Sequence, residues 1–184
     1  MRPSLSMAIA VGLVATLDSG PPARFGFGRP ATADEIASWD ISARPDGRGL
    51  PPGSGTARDG AVIYASRCAG CHGATGREGP ADPLVGREPH VGFPFGRDPT
   101  LVRTIGNYWP YATTIYDYLY RAMPLNAPGS LAPDDVYSLV AYLLWRNEII
   151  ADTALIDART LPRIAMPARS HFVIDDRRGG REVR

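Results

Sequence analysis

Lysine is missing from the 184 residues altogether: all 20 basic side chains are arginine. Docking through a ring of flexible ammonium groups is thereby excluded, and any cationic contact must be made by a planar guanidinium. A surplus of either charge is lacking too. Nineteen acidic residues leave a formal net charge of +1, which gives no footing for nucleic acid or for bulk membrane binding. Long hydrophobic runs are scarce. The apolar run from Met7 to Leu17 falls short of the roughly 20 residues that a membrane-spanning helix needs. Preceded by Arg2 and followed by small and turn-forming residues, it has the layout of a secretory signal over residues 1–22. The alternative is an N-terminal helix of the mature chain. If the signal holds, cleavage falls near Ser19 to Ala23, the mature protein is periplasmic, and no stable membrane span is left.

Glycine and proline are abundant, at 20 and 18 residues, and predict a small core wrapped by turns and extended arms. The division expected is an arm over 23–56, a core domain over 57–150 and an extension over 151–184. Within the arm, ATADEIASWD is expected to form a short helix. Thr32 and Glu35 have capping-box spacing, and Ile36 and Trp39 share a face that should pin the arm to the core. A second helix is predicted from about Ala57 into the cysteines, with Ala61, Val62, Ala65 and Cys68 on one face. Asp98, Pro99 and Gly106 punctuate a third, around Leu101, Val102 and Ile105. A fourth opens after Pro110, with Ile115, Tyr118, Leu119 and Ala122 on one face, and breaks at Met123-Pro124. The last starts at Pro133 and carries the stripe Val136, Leu139, Val140, Leu143 and Leu144. No convincing strand pair is visible, so the fold class expected is all-α.

The chemistry concentrates in Cys68-Ala69-Gly70-Cys71-His72, the spacing for thioether attachment of a c-type haem. Two cysteines three apart on a helical turn can both reach the vinyl groups on one porphyrin edge, and the next residue can turn its imidazole to the iron. A thioredoxin-like pair would want a preceding strand, and zinc would want a second pair of ligands at close spacing. Neither context is present. A single such motif predicts one covalent haem c.

Met123, Met166, His90 and His171 are the candidates for a sixth ligand. Met123, in the Pro-rich stretch AMPLNAP between two helices, is preferred, with Met166 second. Leu84, Val85, Phe93, Phe95, Ile105, Tyr116, Leu119 and Leu125 are candidate pocket walls. Pro80 or Pro83 is the expected source of a backbone carbonyl for the second nitrogen of His72. Trp109, Tyr108 and Arg103 are candidates to bond the propionates.

Taken together, CxxCH at the end of a first helix, a Pro and Leu-x-Gly loop, a methionine about 50 residues on and a closing helix resemble a class I cytochrome c. Gly60, Tyr64 and Tyr142 resemble the positions where the terminal helices of that fold cross. GRPATADEIASWDISARPDGRGLPPGSGT, GNYWPYATTIYDYLYRAMPLNAP and IDARTLPRIAMPAR are further similar to cytochrome subunits paired with molybdenum sulfite dehydrogenases and with the sulfane dehydrogenase of bacterial sulfur oxidation. The resemblance implies a class I fold with extended arms and no catalysis by the chain itself. Electrons would come from a molybdopterin-containing dehydrogenase subunit and go to another cytochrome or an oxidase. A freely diffusing shuttle, or a haem enzyme or sensor with an open sixth site, are the alternatives.

Overall fold

A computed structural model describes residues 27–173, so the signal assigned to 1–22 and both chain ends lie outside the described residues. Helix α1, Ala33–Trp39, starts where the sequence predicts. The Thr32 hydroxyl accepts from the Glu35 amide at 3.2 Å, and the Glu35 carboxylate accepts from the Thr32 amide at 2.8 Å. The expected pinning fails, however. No residue of α1 is buried, and Ile36 and Trp39 are 56% and 86% exposed. The arm is fastened further along, where buried Ala43 donates its amide to Asp117 at 2.8 Å and the Pro51 carbonyl accepts from the Tyr137 hydroxyl at 2.8 Å.

The arm ends in a short strand, β1, Ser54–Thr56, which runs directly into helix α2, Ala57–Arg67. Far along the chain, β2, Leu155–Asp157, pairs with it antiparallel, Gly55 opposite Ile156. This pair corrects the reading that none exists. Three-residue strands carry no legible period, and their partners lie about a hundred residues apart in sequence. The face of α2 also differs from expectation. Ala57, Gly60 and Tyr64 are buried, while Val62 is 72% exposed.

Helix α3, Ala69–His72, follows α2 after a break at Cys68. The helix expected around Leu101 does not form; a single 3-10 turn, Pro94–Gly96, stands upstream of it. Asp98 takes the amide and hydroxyl of Thr100 at 3.0 and 2.6 Å, and the Asn107 side chain accepts the Thr104 amide at 2.7 Å. Side chains thus satisfy the backbone in place of a helical ladder. Helix α4, Ala112–Ala122, buries Ile115, Tyr116 and Leu119, while Tyr118 is 46% exposed.

Helix α5, Pro133–Arg146, is the spine of the core. All five residues of its predicted stripe are buried, and so is every residue from Val136 to Leu144. Burial of each large aliphatic side chain contributes about 1.5–3 kcal/mol. Two glycines bring the N-terminal elements against it. A Cβ on Gly60 would lie 1.9 Å from the Ser138 carbonyl oxygen, and one on Gly55 would lie 2.2 Å from the Ser138 amide. α2 and β1 therefore cross α5 at backbone contact, and α2 delivers the cysteine motif to the edge of the core. The architecture is mostly helical, with extended arms around the helices.

Candidate functional site

The site is built where α2 gives way to α3. The Cys68 amide still bonds the Tyr64 carbonyl at 2.9 Å, and the His72 amide bonds the Cys68 carbonyl at 2.9 Å. One tight turn therefore carries both thiols and the imidazole. Cys68 is half-buried against the core and Cys71 is exposed, with both thiols free. Burial first, and the neighbouring Cys71 second, push the Cys68 thiol up to about 11, so it is protonated at neutral pH.

After His72 the chain reverses through Gly73, whose φ of 81° is left-handed. The buried Tyr64 hydroxyl donates to the Gly73 carbonyl at 2.9 Å and locks the reversal. The returning loop lies close enough for the Ala81 amide to bond the Cys71 carbonyl at 2.9 Å. His72 Nδ1 then meets the Asp82 carbonyl oxygen at 2.8 Å. A carbonyl only accepts, so Nδ1 carries the proton and Nε2 keeps its lone pair for a metal. The carbonyl comes neither from Pro80 nor from Pro83, as the sequence had suggested. Pro83 acts through the residue before it, since proline confines its predecessor to extended backbone.

Asn147, 1% exposed at the end of α5, ties this loop to the core. Its side chain accepts the Gly86 amide at 3.0 Å and donates to the carbonyls of Leu84 and Leu143 at 3.2 and 2.8 Å. Sequence reasoning missed it, because an Asn just beyond a helix reads as an ordinary stop signal.

Leu84, Trp109 and Met123 sit half-buried at the margin of the same core as Cys68. Met123 is the residue that ends α4, its amide bonding the Leu119 carbonyl at 3.2 Å. Met166 differs from it: at 4% exposure it is an integral core side chain. His90 is exposed beside Glu88, and His171 stacks on Phe93 with ring centroids 4.9 Å apart. Tyr108 lies in an aromatic cluster. Its ring packs with Phe93, Phe95 and Phe172, and the Arg103 guanidinium lies 4.9 Å above it. Among the suggested walls, Val85, Phe95, Ile105, Tyr116 and Leu119 are buried, and Leu125 is 79% exposed.

Two thiols on one turn, an imidazole with its tautomer set and a half-buried thioether are a donor set that fits haem c. Among the described residues no group of three or more His, Cys, Asp or Glu converges as a metal site, which leaves the zinc reading without its further ligands.

Comparison with known proteins agrees. Residues 55–143 match the family described as cytochrome c oxidase, cbb3-type, subunit III. No curated protein matches the chain in sequence. The fold and the site define a cytochrome c, and the chain belongs to that family, whose role is electron transfer. It is similar to the crystal structure of the sulfane dehydrogenase SoxCD from Paracoccus pantotrophus. The two share 38% identity at a TM-score of 0.70, over 83% of this chain and 73% of that one.

Proposed function

We propose that the chain is a periplasmic monohaem cytochrome that accepts single electrons from a molybdopterin sulfite or sulfane dehydrogenase and passes them to a further cytochrome or oxidase. One observation carries this reading. The cytochrome family match spans only 55–143, whereas the likeness to the sulfane dehydrogenase runs over 83% of the chain and so takes in arm sequence that a bare electron carrier does not need. No helix among the described residues is long and apolar enough to cross a membrane.

Cys68 and Cys71 would hold the porphyrin through thioethers, and His72 and Met123 would bind the iron. The bound group supplies a one-electron ferric/ferrous couple. The chain itself fixes the His72 ring through the Asp82 carbonyl, holds Met123 at a helix terminus and keeps the surroundings tightly packed, so that little has to rearrange when the charge changes. Leu84 and Trp109 would close the apolar side, and Tyr108 is assigned to the propionate edge.

The test is haem staining after denaturing electrophoresis of exported protein. A stained band at one haem per chain is expected, lost on replacing both Cys68 and Cys71 by Ala. An unstained wild-type band ends the reading. Met123→Ala should abolish the weak far-red sulfur-to-iron band of the ferric form; survival there and loss in Met166→Ala would move the ligand to the core methionine.

A further inference from the structure

Helix α1 presents an anomaly that the electron-transfer site does not absorb. Seven residues are too few to hold a helix in water by themselves, yet α1 buries nothing. Its order comes from its capping box and from a two-pronged ion pair between Arg29 and Glu35, at 2.7 and 2.5 Å. Beside these devices stand Ile36 and Trp39, 56% and 86% exposed, flanked by Phe27 at 88% and Ile41 at 42%. Exposed large apolar groups gathered on a short, deliberately capped element mark a surface built to be covered. The arm does not swing from an undefined root. It is anchored at Ala43, whose amide bonds Asp117 of α4, the helix that ends at Met123.

Two observations identify what covers it. A match over 83% of the 184 residues is longer than everything from Gly53 onward, so the likeness to the sulfane dehydrogenase structure takes in part of the arm that carries α1. The segment from Phe27 to Ser42 also carries Asp34, Glu35 and Asp40 against the single cation Arg29. An acidic rim around an apolar centre calls for the converse on the other side.

Resting on the dehydrogenase reading above, we infer that α1 is a docking helix, with Ile36 and Trp39 seated in an apolar, basic-rimmed groove of the molybdopterin dehydrogenase subunit. A tryptophan at the centre of such a contact carries a disproportionate share of affinity.

The probe is the purified molybdopterin dehydrogenase subunit of the same organism, checked for molybdenum and titrated with the haem-loaded full chain. Ile36→Ser with Trp39→Ser should weaken binding about 30-fold. The haem spectrum and melting temperature of the free chain should not move, because neither side chain is buried there. Asp34→Arg with Asp40→Arg should weaken binding less, by an amount that shrinks as salt rises. Equal binding by wild type and I36S/W39S overturns the docking helix while leaving the dehydrogenase reading intact. No binding by wild type overturns the dehydrogenase reading itself, and this surface with it. A wild-type homodimer in sedimentation that the double variant abolishes overturns the assigned occupant, since a second copy would then cover the helix.

Discussion

Helices α1 and α5 are a natural controlled pair. Both open with carboxylates in the first turn, and α1 has the better start: its capping box is complete, whereas at α5 only Asp135 reaches back, to the Ala132 amide at 3.3 Å. Yet α5 buries every residue from Val136 to Leu144 and α1 buries none. Caps and dipoles decide that a helix starts here. They say nothing of whether another element comes to meet it. For α5 that element comes through glycine, with β1 and α2 reaching backbone contact at Ser138.

Removing that close approach is the harshest way to break the contrast. At Gly60 even an alanine methyl would stand 1.9 Å from the Ser138 carbonyl oxygen, an atom of a buried helix backbone that cannot rotate away. Gly60→Ala should therefore force α2 from α5 and cost on the order of 3 kcal/mol. Because α2 leads into Cys68, haem incorporation should fall with it. Gly96→Ala meets nothing within 4 Å and stands outside the left-handed region, so it should stay within about 0.5 kcal/mol of wild type in a urea titration. Equal curves for the two variants would mean that the α2–α5 crossing is not what holds the core.

A milder pair of truncations sharpens the same point. Leu139 on α5 is fully buried, and Leu139→Ala should lose about 2–5 kcal/mol through transfer and cavity terms. Ile36→Ala on α1 removes comparable carbon from a side chain that is 56% exposed, and the free chain should register less than about 0.5 kcal/mol. Denaturation of the isolated protein reads both. A large loss for Ile36→Ala would show that α1 packs on the body in solution.

How much of this was legible follows the same division. Local instructions read well: the α5 stripe, the Thr32 and Glu35 box, the stop at Met123-Pro124 and the cysteine motif each lie within a few residues. Non-local ones did not. Val62 and Tyr64 on α2 are both acceptable helix residues, and only the course of α5 decides that Tyr64 goes in and Val62 out. The segment from Asp98 to Gly106 carried correct helix punctuation, but Asp98, Thr104 and Asn107 spend their side chains on neighbouring backbone and leave no helix to cap. The carbonyl facing His72 belongs to Asp82, which lies between the two prolines that the sequence offers. The sequence motif locates the loop, while the fold chooses among its oxygens, and Asn147 does part of that choosing from the far end of α5.

The smallest expected effect, and the most local, is on α1 in acid. The Glu35 carboxyl is held down at about 2, first by the Arg29 guanidinium and then by the Thr32 amide. A carboxylate depressed below its ordinary value of about 4.3 lends stability above that value, and the contribution is lost as pH falls toward the folded value. The amide signals of α1 should accordingly drift from helical toward coil positions between about pH 4 and pH 2, while those of α5 stay put. Asp157, also held near 2 by the amides of Thr160 and Arg159, should loosen the turn after β2 in the same window. Raising salt at neutral pH should mimic part of the α1 change, because the Arg29–Glu35 pair lies at the surface, open to screening. In Glu35→Gln the drift should vanish, with α1 already weakened at pH 7. If α1 in that variant still melts in acid as wild type does, its order comes from something other than the cap, and the pairing of a well-started helix with an empty face would need another explanation.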